Sequence, residues 1–98
     1  MGREIYSTLL GKRLMIKDKL RLYILENFLF TDDQSELNNE DSFMDQGIID
    51  STAILELIFF MEEEFSVKVE VDEMIQDNLD SINKATRFIE SKNKSLPG

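Results

Sequence analysis

Residues 41–65 read DSFMDQGIIDSTAILELIFFMEEEF, and the change of pattern inside that stretch sets the fold class. Up to Asp50 the residues are mostly those that permit turns or compete with helical hydrogen bonds, among them Asp41, Ser42, Asp45 and Gly47. From Ile54 onward apolar residues return every three or four positions. At about 100° per residue, Ile54, Leu57, Ile58, Met61 and Phe65 share one face, while Glu56, Phe59 and Glu63 fall opposite it. Asp50 stands where the first unpaired backbone N–H groups of a helix need an acceptor, so it predicts an N-cap. Ser51 then lies in the first turn, where those N–H groups and the helix dipole favour an anion, and its hydroxyl is a point to which a phosphate can be attached. Taken alone, an Asp-Ser pair is an ordinary cap. Its neighbours decide what it means.

Upstream, Ile16, Leu20, Tyr23, Ile24, Phe28 and Leu29 recur at helical spacing and predict a first helix over residues 15–30, with residues 1–14 as an extension. Residues 31–50 form a long polar connection. A loop of that length in a compact domain needs anchors, and Leu37 and Phe43 are the apolar residues placed to supply them. Downstream, Val67-Lys68-Val69-Glu70-Val71 alternates like a strand but has no partner, so it reads as an extended connection. Asp72 is then expected to cap a short helix near residues 73–78. Asp80 or Ser81 is expected to cap a last one, whose Ile82, Ala85, Phe88 and Ile89 face inward and which ends near Lys92 and Asn93. Residues 94–98 read as a tail. The fold class expected is all-α: a bundle of three longer helices and one short helix, with a long loop between the first and second.

Composition narrows the chemistry. At 98 residues the chain is one small domain, and without Cys it holds neither a disulfide nor a thiolate metal site. The absence of His removes the usual proton shuttle at neutral pH, which argues against self-contained catalysis. A calcium-binding loop is a remote alternative, since the Gly and terminal Glu spacing of a calcium hand is missing. No run approaches the roughly 20 apolar residues of a membrane span, and no secretory leader is evident, so a cytoplasmic monomer is expected. The net charge of −9 is unevenly spread. Residues 1–30 hold six Lys/Arg against three Asp/Glu, residues 31–80 one against sixteen, and residues 81–98 four against one. An acidic middle repels nucleic-acid phosphates and steers basic protein surfaces toward itself.

The Gly-Ile-Ile-Asp-Ser-Thr turn, the Phe eight residues before Ser51 and the closing Glu-Glu-Glu-Phe together resemble the acyl carrier protein family around its phosphopantetheine serine. The resemblance runs over about residues 15–92. It implies a four-helix bundle in which Ser51 carries a 4′-phosphopantetheine arm donated by coenzyme A, with Asp50 helping a phosphopantetheinyl transferase organise the site. It also implies that Phe43 is the family's loop phenylalanine. Thr52 replaces the usual Leu, and Ala53 stands where many fatty-acid carriers have an acidic residue, so the turn is more similar to discrete carriers that work beside adenylate-forming ligases.

Glu56, Glu62 and Glu63 fall at positions by which such carriers dock onto Lys/Arg patches of a ligase, acyltransferase or synthase, and Glu64 carries less weight. The ordinary reading of these acids is a solvated helix face. Phe59, a large aromatic on the predicted solvent side, is expected to be an interface anchor unless the helix is rotated to pack it on Leu37. One of Ile48 and Ile49 is expected to pack inward while the other stays beside the arm, and Ile48 is grouped with the partner-binding residues. The function implied is a carrier, not an enzyme, that holds an acyl or aminoacyl group as a thioester. The competing reading is an acidic interaction domain with no prosthetic group.

Overall fold

The computed structural model describes residues 12–95, and what they form is all-helical. Four α-helices run in order: α1 (Lys12–Ile24), α2 (Ile54–Phe65), the single-turn α3 (Gln76–Leu79) and α4 (Ile82–Ser95). α1 is already helical at Lys12 and α4 continues to Ser95, so both expected boundaries move outward. Residues 1–11 of the expected extension and 96–98 of the tail lie outside the described residues.

One apolar core joins these elements, and its composition follows from the helical spacing. Ile16, Leu20 and Ile24 from α1 meet Leu57, Ile58 and Met61 from α2 and Ile82, Ala85, Phe88 and Ile89 from α4, with α1 and α3 both packed against α4. Ile54 and Phe65 sit at its edge, half-buried. Burying these side chains is the main favourable contribution to folding. Val67 and Val69 are buried, and residues 67–70 run as an extended connection with no strand pairing among the described residues; the exposed Val71, expected to end that connection, instead opens a short 3-10 turn.

The end of the first helix departs from the expected pattern. After Ile24 the chain takes a π turn, Leu25–Leu29, before Phe30 adopts a left-handed conformation at φ 55°. The wider turn shifts the phase of the helix, so that consecutive residues Ile24 and Leu25 are both fully buried, while Phe28 and Leu29 are only partly covered. Asn27 Nδ2 donates to the Tyr23 carbonyl at 3.0 Å within this altered turn.

The long loop is ordered by Arg21. Its Nη1 donates to the Leu37 carbonyl at 2.8 Å and to Asn39 Oδ1 at 2.7 Å, and its Nη2 donates to the Gln34 carbonyl at 2.8 Å. A planar guanidinium with five donors suits this fan of acceptors. Leu37 and Phe43 then anchor the loop in the core, as their isolation among polar residues predicts. Asn83 N–H donates to the Asn39 carbonyl at 2.9 Å and ties the same loop to α4.

One expected cap is absent, and the choice left open for another is decided. Asp72 lies inside a short 3-10 turn, Val71–Glu73, which is closed by reciprocal bonds between Glu70 and Glu73, so Asp72 caps nothing there; α3 then starts after Ile75, without a side-chain cap. Lys92 Nζ donates to Glu73 Oε1 at 2.8 Å, and that bond holds the Glu73 carboxyl below its usual range. For α4 the cap is Ser81, whose Oγ accepts from Lys84 N–H at 3.0 Å. Asp80 is drawn elsewhere.

Candidate functional site

The turn that leads into α2 is built from residues 43–53. Met44 N–H donates to Asp80 Oδ1 at 3.0 Å, and Ser42 Oγ donates to Asp80 Oδ2. Phe43, only 1% exposed, presents its carbonyl to the N–H groups of Ile48 at 2.8 Å and Ile49 at 3.2 Å, and its own N–H reaches the Asp80 carbonyl at 2.9 Å. Gly47 closes this turn at φ +72°, a conformation open to glycine at little cost and strained for a residue with a Cβ. Ile49 then drops into the core, so it is the inward-packing member of the pair, and Ile48 stays half-buried against the core's edge.

Asp50 Oδ1 accepts from Thr52 N–H at 3.0 Å and Ala53 N–H at 2.8 Å. It therefore caps the turn of residues 51–53, and regular α-helix begins at Ile54, somewhat later than a cap at Asp50 predicts. This geometry changes the electrostatics of the site. Two N–H groups that an anion at the helix start would use are already bonded to a carboxylate, so a phosphate on Ser51 would meet the helix dipole and the Asp50 charge together. Ser51 is exposed. Its hydroxyl takes part in no hydrogen bond among the described residues.

Ser51 also lines a cleft of about 220 Å³ whose other walls come from the loop (Met44), α2 (Ile54), and the α3 region (Met74, Ile75, Gln76, Leu79 and Asp80). Met74 and Ile75 are exposed, leaving apolar surface beside the hydroxyl. Asp80, 6% exposed, also lines this cleft; its sequence position offers it, with Ser81, only as a helix cap.

On the opposite flank of α2 lies a broader groove of about 600 Å³, lined by Tyr23, Leu55, Glu56, Phe59, Phe60 and Glu63. Phe59 is 65% exposed and Leu55 60%, so α2 is not rotated to pack Phe59 on Leu37. Phe60 supplies the floor by stacking on Tyr23, with ring centroids 3.9 Å apart. Tyr23 O–H donates to the Glu56 carbonyl at 3.2 Å; burial first, and the nearby Glu56 carboxylate second, raise its pKa. Glu56 and Glu63 are exposed on the rim. The other two acids are engaged: Glu62 Oε2 accepts from Val69 N–H at 2.9 Å, and Glu64 pairs with Lys19 at 2.7 Å. Glu62 thus spends one oxygen on holding the connection after α2. Leu55 was missed from sequence because it falls between the two faces of the helix.

Among the described residues no cluster of three or more His, Cys, Asp or Glu could hold a metal ion, and no helix is long and apolar enough to cross a membrane. No protein-family model matches the chain. Among curated proteins it is 37% identical over 62 residues to the D-alanyl carrier proteins of Streptococcus pyogenes serotype M5 (strain Manfredo), serotype M49 (strain NZ131) and serotype M1. The match spans 63% of this chain and 77% of each relative.

Proposed function

The chain belongs to the phosphopantetheine-binding carrier proteins, and from that membership we propose that Ser51 bears the 4′-phosphopantetheine arm and that the cargo is a small aminoacyl group, as the name D-alanyl carrier protein indicates for its relatives. A carrier of this family holds an acyl or aminoacyl group on its arm and works with ligases and transferases.

The residues present fit the group. When bound, it supplies a terminal thiol that holds the cargo as a thioester. The protein's part is to present one hydroxyl, and the exposure of Ser51 in the turn capped by Asp50 is the observation that carries the assignment. The turn fixes where the arm begins, while the apolar wall of Met44, Ile54 and Ile75 gives the adjoining part of the arm somewhere to rest. Asp50 has a second role in this reading: its charge stands beside the phosphate position and is met there by the basic residues or metal ion of the transferase.

The chain is proposed to be no enzyme. Ser51 Oγ is hydrogen-bonded to no base among the described residues, and the sequence contains no His, so the transferase would supply activation. Glu56, Phe59 and Glu63, with Ile48 at the near end, form the surface on which basic partners would settle: the phosphopantetheinyl transferase, then an adenylate-forming ligase, then an acceptor enzyme. Carboxylates around an exposed aromatic combine long-range steering with an apolar anchor. The use of coenzyme A as donor supports residence in the cytoplasm. Tethering the cargo raises its effective concentration at each docked active site.

Incubation with coenzyme A and a phosphopantetheinyl transferase, followed by intact mass measurement, tests the assignment. One phosphopantetheine group should add to the wild-type chain and none to Ser51→Ala. A chain that never gains the mass is an acidic interaction domain instead. With the partner ligase and a panel of acids, D-alanine should load best; malonyl loading and elongation as the only productive reaction would overturn the aminoacyl assignment.

A further inference from the structure

Asp80 lines the same cleft as Ser51, in a wall otherwise made largely of Met, Ile and Leu residues, and its carboxylate is fastened to Ser42 and to Met44 of that wall. A carboxylate offers about four lone-pair positions. Ser42 Oγ–H and Met44 N–H occupy one on each oxygen, which leaves acceptor capacity at a residue nearly removed from water. The cleft is also small. Its volume of about 220 Å³ is not far above the roughly 150 Å³ of an apolar cavity that takes up one benzene.

We propose that Asp80 selects the class of cargo that can lie in this cleft, admitting a short group with N–H donors, above all an aminoacyl ammonium, and refusing a long alkyl chain. The inference rests on the reading that Ser51 carries the arm. An ammonium group brought beside Asp80 forms a charge-assisted hydrogen bond with the unused lone pairs. An alkyl chain in the same place would close off the carboxylate's unused lone pairs and offer no donor in return, so it forgoes the charge-assisted bond that an ammonium gains. Gln76, in the same wall, donates from Nε2 to Met44 Sδ at 3.2 Å, and its amide oxygen can accept from a polar cargo and not from an alkyl one.

The experiment uses the holo-protein, charged with either D-alanyl or octanoyl groups, as wild type, Asp80→Asn and Ser42→Ala. Asparagine can still accept from Met44 N–H and donate to Ser42 Oγ, so that variant removes the charge while preserving the turn. The readout is the methyl NMR spectrum of Ile54, Ile75 and Leu79. In the wild type the D-alanyl group should shift these methyls, while the octanoyl group leaves them at their holo positions. In Asp80→Asn the D-alanyl shifts should fall by about tenfold in bound population, the lower end of what a hydrogen bond to a charged group provides, and octanoyl shifts should emerge. Ser42→Ala, which loosens the turn but keeps the carboxylate and frees one more of its lone pairs, should retain the D-alanyl shifts and still show no octanoyl shifts. Octanoyl shifts in the wild type equal to those in Asp80→Asn would overturn the proposal, as would a Ser42→Ala variant that reproduces Asp80→Asn. Failure of the Ser51 reading is distinguishable, because no arm would then be added and the absence of the mass gain would be seen before any cargo is attached.

Discussion

Two hollows flank α2, and each sets carboxylates beside apolar side chains in the opposite arrangement. In the Ser51 cleft the carboxylate of Asp80 is buried, with both oxygens bonded to the turn that carries Phe43. In the groove beyond α2 the carboxylates of Glu56 and Glu63 stay in water, around Leu55 and Phe59, which are exposed. A carboxylate taken out of water must be satisfied by protein donors, so it organises backbone around itself. One left in water spends little on the fold and keeps its field available for other molecules. Under the proposed function the two sides of one helix divide the work: one shapes the place where the arm would begin, and the other would face partners.

The strongest way to break this division is to remove a phenylalanine from each side. Phe43→Ala should cost about 3–5 kcal/mol, the usual range for emptying a buried aromatic site, read as a lower urea midpoint. Phe59→Ala should change stability by no more than about 0.5 kcal/mol, as for a surface substitution. Equal losses at the two positions would show that both hollows are structural and that the exposed aromatic has no role reserved for binding.

Phe43 and Phe59 were both legible in the sequence for the same reason: an apolar residue out of phase with its neighbours has to be explained. Phe43 stands among polar loop residues and Phe59 among acids, and each reading placed the side chain correctly. Other contacts stay hidden where the partners lie far along the chain. Asp80 and Ser81 both precede a helix and read as alternative caps; Ser81 is the cap, and Asp80 bonds instead to residues 42 and 44. Glu62 belongs to an acidic run and reads as surface, yet it accepts from Val69 N–H. Arg21 counts only as one positive charge until the loop folds against it. Leu25 was lost because a π turn changes the phase that periodicity assumes to be constant. Local pattern therefore fixes elements and faces, while the polar links that fasten the site depend on contacts that no window of sequence contains.

The partner side can be sharpened with the same Phe59→Ala variant. A buried aromatic anchor at an interface contributes about 2 kcal/mol or more, so KM for the carrier in ligase-catalysed loading should rise by roughly thirtyfold while the fold is unchanged. Glu56→Gln combined with Glu63→Gln should lower the association rate at low salt and approach the wild-type rate near 1 M salt, where screening acts over about 3 Å. An unaltered KM for Phe59→Ala would assign the groove to another use.

The smallest effect is expected where the groove touches the core, at Tyr23. Its hydroxyl donates to the Glu56 carbonyl, and burial together with the Glu56 charge raises its pKa above the ordinary phenol value. Folding therefore favours the protonated phenol. That contribution is fully present below the pKa of the unfolded phenol and is lost as pH rises through the higher folded value. Tyr23→Phe should lie about 0.5–1 kcal/mol below the wild type near neutral pH, from the lost hydrogen bond, and should lose less stability between about pH 9 and 11, the region of phenol ionisation. Urea unfolding across that range gives both curves, and only the difference between them is read. Glu56→Gln keeps the carbonyl acceptor and removes the lesser cause of the shift, so its alkaline limb should fall between those of the wild type and Tyr23→Phe. Parallel curves for all three would mean that the phenol at the edge of the groove is as free in the folded chain as in the unfolded one, and that the stacked floor of Tyr23 and Phe60 opens in solution.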